Sequence, residues 1–261
     1  MVLRQTVHVT MVAVAILASV HSITVAEDAT PAVHLEANIA RSCYSAHVGF
    51  GSFWMSSGDE FDRIDFRDNS LRRVPVRGLQ SFHSSVTVGD GAVWLGDARS
   101  TIYKIDPQTE QVVKEVRVEL DQSPTAAWDL AVGEGAVWVV VGNKKLGRYS
   151  AISGADEATI SLPSSSSRVL VAFGTVQRID AKSGQQLATL ETGAVGRAGI
   201  TVGGGFVWVG TTSGTIIQID PRTNSVQGKF KTEAGGYFAI GYGGSSLWMC
   251  GEATYRIAPP R

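Results

Sequence analysis

Seven side chains could do chemistry if the fold gathered them: Tyr44, His83, Trp128, Asp129, Arg197, Tyr237 and Glu252. Arg197 suits a carboxylate or phosphate, because its planar guanidinium donates paired hydrogen bonds. Trp128 and Tyr237 offer flat faces for stacking. His83 beside Asp129 can hold a base for proton transfer. Asp59, Asp97 and Arg99 would join them at the same rim. No nucleophile elbow, metal-spaced histidine cluster or phosphate-cradling loop accompanies them. The pattern therefore points to a ligand- or protein-binding site without catalysis, and it calls for no cofactor and no resident metal. An ordinary polar rim is the alternative reading of the same residues.

These residues are far apart in sequence, so a repeated architecture must bring them together. The phrase Val88-Gly89-Asp90-Gly91-Ala92-Val93-Trp94 returns as Val132 to Trp138 and Val202 to Trp208. A looser copy runs from Val48 to Trp54, and a worn one reads Ile240-Gly241-Tyr242-Gly243, with Leu247-Trp248 after a small insertion. The five Trp residues are roughly 40 residues apart, except for one step of about 70 that spans two units. Each unit reads as four short strands: one ending at Gly-x-Gly, one carrying the Trp, one ending at an Ile-Asp pair, and one alternating. Gly-x-Gly is a hairpin signal. Asp106-Pro107-Gln108-Thr109 and Asp220-Pro221-Arg222-Thr223 are turn sequences. The recurring Asp residues resemble a metal-ligand series, but each falls where its own unit needs a turn. The repeated Trp residues sit inside apolar strands and read as packing between units, not as a stacking platform.

Six four-stranded units at this period predict an all-β, six-bladed β-propeller. The fourth unit has lost roughly ten of the usual 40 or so residues. It keeps a strand-like Arg168 to Gly174 but no Gly-x-Gly, and Pro163 to Ser167 marks the deletion. The sixth unit stops after its third strand, and the alternating stretch Val33 to Ile39 fits the vacant place, closing the ring. The candidate residues then line the entrance to each first strand. Six, five and four residues before the first Gly of each phrase stand columns containing Cys43, His83 and Arg197; Tyr44 and Trp128; and Asp129 and Tyr237. These columns vary while the strands beside them hardly do, as expected of loops that carry function on a rigid scaffold.

The phrase Val-Gly-x-Gly-x-Val-Trp-Val followed by Ile-Asp-Pro-x-Thr resembles the YncE/YVTN-type propellers. Gly142-Asn143-Lys144-Lys145-Leu146-Gly147-Arg148 is similar to a segment of the streptogramin-lyase-like (Vgb-like) propellers. The likeness covers nearly all of the chain after its first segment, and it implies the fold more than the function. Lyases of that kind are metal-dependent, with a His base and a nearby Glu and His late in the chain. No His follows His83 here, so the activity is not carried over. A metal-dependent lyase or lactonase-type enzyme stands as the alternative to a binding module.

The remaining bounds come from composition and from the beginning of the sequence. The chain has 261 residues, 44% hydrophobic and 18% charged, with a formal net charge of −1. That balance suggests no nucleic-acid partner. Arg4, the apolar run Val9 to Val20 and the small residues Thr24-Val25-Ala26 predict a signal peptide over residues 1–26. Residues 27–261 are then a single exported domain, periplasmic or secreted, monomeric and without a membrane span once the signal is removed. Its partner would be a small molecule or an envelope protein at the propeller mouth. Cys43 and Cys250 fall on neighbouring units of a closed ring and are placed to form a disulfide; two free thiols are the alternative.

Overall fold

The computed structural model describes residues 33–79, 85–97, 100–118, 127–133, 135–141, 145–161, 175–179, 186–193, 198–232 and 237–260. The predicted signal segment and the two stretches Pro163 to Ser167 and Arg168 to Gly174 lie outside these residues.

Twenty-two strands and no helix make up the described chain. Strand β1 (Leu35–Ile39) comes first. Sheet I follows with β2 (Ser45–Gly49), β3 (Ser52–Ser57), β4 (Glu60–Asp65) and β5 (Leu71–Arg73). Sheet II holds β6 (Ser85–Gly89), β7 (Ala92–Gly96), β8 (Thr101–Ile105) and β9 (Val112–Arg117). Sheet III holds β10 (Ala127–Gly133), β11 (Ala136–Val141), β12 (Lys145–Ser150) and β13 (Asp156–Ser161). Sheet IV has two described strands, β14 (Thr175–Ile179) and β15 (Gln186–Glu191). Sheet V holds β16 (Ala198–Gly203), β17 (Phe206–Thr211), β18 (Thr215–Asp220) and β19 (Ser225–Lys231). Sheet VI is β20 (Tyr237–Gly243), β21 (Ser246–Gly251) and β22 (Thr254–Ile257), completed by β1, which pairs antiparallel with β22 from Leu35↔Ile257 to Ile39↔Thr254. The stretch predicted as a strand from Val33 thus begins two residues later. All pairings are antiparallel. The first strands of neighbouring sheets lie against one another: β2 touches both β6 and β20, β6 touches β10, and β16 touches β20.

The repeated phrase has a different job at each letter. Its second and third residues after the Val make the hairpin turn: Phe50-Gly51 and Asp90-Gly91 all have positive φ, the geometry of a two-residue turn that matches strand twist. The first Gly serves packing instead. A Cβ on Gly89 would stand 3.0 Å from both the Val132 side chain and its carbonyl, so a side chain here would push sheets II and III apart. The Trp closes the unit on itself. Trp54, Trp94, Trp208 and Trp248 are fully buried, and each indole N–H donates to the carbonyl five residues earlier, Gly49, Gly89, Gly203 and Gly243, at 3.0–3.1 Å.

That bond corrects the reading of the last copy. Trp248 reaches Gly243, Gly243 pairs with Ser246, and Gly244 (φ 59°) with Ser245 (φ 62°) makes the turn. No insertion exists. The phrase runs from Tyr242 to Trp248, with Ser245 at a left-handed position usually given to Gly. Tyr237 therefore stands six residues before the phrase's glycine, in the column of Cys43 and His83, and not four.

In four sheets a basic side chain on the third strand lies over the Trp of that sheet, and in three of these it is seen to reach the neighbour. Arg63, Lys104, Arg148 and Arg256 lie 5.1–5.5 Å from the rings of Trp54, Trp94, Trp138 and Trp248. Arg63 then donates to Glu110 (2.6 Å), Lys104 to the Ala151 carbonyl (2.9 Å), and Arg256 to the Phe66 carbonyl and Asn69 Oδ1 (3.0 Å each). Arg178 of sheet IV donates likewise to the Pro221 carbonyl (2.7 Å) and Asn224. Every acceptor is in the turn between third and fourth strands of the next sheet. The clasp combines cation–π attraction with a charge-assisted hydrogen bond. Replacing Arg256 with Ala is expected to cost about 2–3 kcal/mol, because it also removes an ion pair with Glu36. Arg148, which pairs with Glu157 of its own sheet, should cost under about 1 kcal/mol. Urea unfolding of the two variants checks the difference.

The Asp residues of the same turns act locally. The side chains of Asp65, Asp106 and Asp220 accept backbone N–H bonds from Arg67, Gln108 with Thr109, and Arg222 at 2.7–2.9 Å. These bonds hold all three carboxyls below the usual range, with the Arg67 and Arg222 side chains the leading cause at Asp65 and Asp220. Ser150 takes the same place in sheet III, accepting from Ile152 and Ser153.

Candidate functional site

In sheets of this topology the turns within the first and last strand pairs lie at one end. The connections into each first strand lie at the other, with the turns between second and third strands. The second end is the mouth, where the candidate residues were expected. Tyr44 and Glu252 are exposed there and flank one structure. Cys43 and Cys250 are joined by a disulfide with Cα atoms 5.7 Å apart, and the Cys43 N–H donates to the Gly251 carbonyl at 3.0 Å. Both sulfurs are buried among Phe53, Met55, Ile64 and Trp248, between sheets I and VI. The backbone places Trp128 and Asp129 at the start of β10 and Tyr237 at the start of β20, also at this end. His83, Arg197 and Arg99 lie outside the described residues.

Several rim residues are committed to structure. Ser45 Oγ accepts the Val86 N–H at 3.0 Å, and Ser85 Oγ accepts the Leu130 N–H at 3.2 Å, so the column that holds Asp129 in sheet III stitches adjacent sheets together in sheets I and II. Asp97 is 1% exposed; its Oδ1 accepts the Thr101 N–H at 2.9 Å and its Oδ2 the Tyr103 hydroxyl at 3.2 Å. Thr211 repeats this in sheet V, accepting the Thr215 N–H. Burial first, and then the Asp97 charge, push the Tyr103 phenol up to about 12. A raised phenol pKa means that this contribution to stability is complete below the ordinary value of about 10 and is lost as pH rises toward the folded value. Ultraviolet titration is therefore expected to show one tyrosine ionising about two pH units late, and Tyr103→Phe should remove that step alone.

The sequence reading missed a four-charge network at the mouth. Glu60 and Asp62 project from the same side of β4, as alternation requires. Arg41, from the connection after β1, pairs with both, and so does Arg73 at the end of β5. The Asp62 side chain is 2% exposed. Two guanidiniums over two carboxylates leave a locally neutral corner. The Glu-x-Asp pattern was the available signal, but neither arginine is near it in sequence. Among the described residues, no grouping of His, Cys, Asp and Glu could hold a metal ion.

The described cleft is at the opposite end. About 460 Å³ in volume, it lies between sheets V and VI and is lined by Phe206 and Trp208 of sheet V, Tyr242 of sheet VI, and Glu36, Pro259 and Pro260. Trp208 is fully buried at its base, with Phe206 edge-on at 5.7 Å. None of its residues belongs to the columns singled out from sequence.

No family model and no curated protein matches the sequence. Among solved structures, a chain of the crystal structure of a mitotic checkpoint complex aligns with a TM-score of 0.59. The alignment covers 97% of this chain and 100% of that one, at 9% identity. At that identity the likeness speaks for the fold alone, an all-β, propeller-like arrangement of four-stranded antiparallel sheets.

Proposed function

We propose that this chain is an exported six-bladed β-propeller, its ring closed by β1 and its fourth blade shortened. It works as a non-catalytic binding module whose partner sits at the mouth. The observation that carries this reading is how the rim's polar groups divide. Asp62, Asp97, Ser45 and Ser85 are used up in holding the blades, whereas Tyr44 and Glu252 stand exposed beside the disulfide. A rigid frame that presents exposed side chains at one end suits recognition. The fold neighbour comes from a multiprotein complex, which favours a protein partner over a small molecule. The leader-like N-terminus and the disulfide favour an oxidising compartment. Among the described residues no helix is long and apolar enough to cross a membrane.

Affinity capture from envelope extracts with the full chain tests the reading. A partner retained by the native protein and released by the double variant Tyr44→Ala, Glu252→Ala supports it. Stoichiometric Ca²⁺ or Mg²⁺ in the purified protein, lost on Asp129→Asn, would overturn it in favour of a metal-dependent lyase or lactonase-type enzyme.

A further inference from the structure

The clasp that joins the sheets is missing at the cleft. Where Arg63, Lys104 and Arg256 stand opposite Trp54, Trp94 and Trp248, the residue paired with Trp208 is Gln218. Its side chain is uncharged and shorter than that of Arg or Lys. At 6% exposure it makes no side-chain hydrogen bond among the described residues. The receiving side differs too. Sheet VI has no covalent turn between its third and fourth strands, because β1 comes from the other end of the chain. Ala258, Pro259, Pro260 and Glu36 occupy that place, with the Ala258 N–H bonded to the His34 carbonyl at 3.0 Å. Aromatic rings and a carboxylate line the cleft, and among the described residues no cation does, which leaves the outline of the absent side chain. Glu36 Oε2 bonds Arg256 and Ser246, while Oε1 has no partner among the described residues.

We propose that the cleft between sheets V and VI is a binding site for an arginine side chain of a partner polypeptide. The guanidinium takes the place that the fold fills with its own arginine or lysine at other sheet junctions. Phe206 and Tyr242, both half-buried, flank the arginine stem, and Glu36 Oε1 accepts from the guanidinium. Arginine fits better than lysine because a planar guanidinium can meet a carboxylate with two donors and lie against an aromatic ring at the same time. This site is independent of the mouth, so it stands or falls separately from the reading above.

The test uses the full chain and three probes, followed by ligand-observed NMR: a capped Gly-Arg-Gly peptide, its citrulline counterpart and free guanidinium ion. The arginine peptide is expected to bind, and the citrulline peptide, equal in shape but uncharged, to bind at least about tenfold more weakly. Glu36→Gln should weaken the arginine peptide by a similar factor. The decisive variant is Gln218→Arg, which supplies the missing clasp in cis: it should raise the melting temperature and abolish peptide binding. Equal binding of the two peptides, unchanged binding by Gln218→Arg, or a fall in its melting temperature would overturn the assignment. So would guanidinium ion binding as tightly as the peptide, or binding that appears only after Arg261 is removed.

Discussion

Reducing the Cys43–Cys250 bridge, or replacing both residues with Ala, is expected to lower the unfolding free energy by about 5 kcal/mol. The separation of 207 residues puts the bridge at the long end of the loop-closure scale. The cross-link ties sheet I to sheet VI, whose fourth strand is supplied by the beginning of the chain and is held by pairing with β22. Buried as they are, the sulfurs resist reductant in the folded state, so the comparison belongs in equilibrium urea unfolding with and without reductant. A midpoint that does not move would show that strand pairing and the clasps carry this junction without the cross-link. The effect should be largest at low denaturant, where β1 would otherwise begin to part from β22.

Trp248→Ala should cost nearly as much, about 4–5 kcal/mol. Its ring is fully buried and stacked between Phe66, 4.9 Å away, and Phe53, 5.9 Å away, and Arg256 lies over it. Truncation leaves a cavity at the junction of sheets VI and I, a Gly243 carbonyl without the indole N–H and a clasp with nothing beneath it. Trp248→Phe separates these contributions, since it keeps a ring and loses only the indole N–H; about 1–2 kcal/mol is expected. Trp138 occupies the same place in sheet III but is only half-buried, so Trp138→Ala should cost about half as much as Trp248→Ala. Denaturant midpoints of the three variants rank the contributions.

The sheets were legible because their signals are local. A turn residue, a strand period and a Trp five residues after a Gly all lie within one short window. The completion of sheet VI by β1 was also readable, since a missing fourth strand and a solitary alternating stretch imply each other. What did not show was whatever depends on a neighbour. The first Gly of the phrase looked like part of the turn, yet at position 89 it is there to let Val132 approach. The last copy was misaligned because Ser245 takes a left-handed conformation that sequence rules assign to Gly or Asn. The basic residue before the Ile near the end of a third strand was in plain view at Arg63, Lys104, Arg178 and Arg256, but its acceptor lies in a turn of the next sheet. The cleft could not be seen without it, because Gln218 is conspicuous only against that series. At the mouth, residue type suggested chemistry at Asp97, which serves the frame, as do Ser45 and Ser85 in the column that holds Asp129. Type alone cannot tell a serine that meets a ligand from one that caps a neighbouring strand.

Strand β1 is the first described strand to be synthesised and belongs to the last sheet to be completed. Sheets I to III use consecutive strands, so each can form once its own residues are available. Sheet VI cannot, because Glu36 must wait for Ser246, 210 residues later. Until then β22 has no edge partner and β2 has no β20 to rest on. Such long-range pairing is slow, and the unfinished assembly exposes strand edges that invite aggregation. The rate-limiting step of refolding should therefore be the capture of β1 by β22. The nearly finished chain, and not the nascent one, is the species that most needs a chaperone.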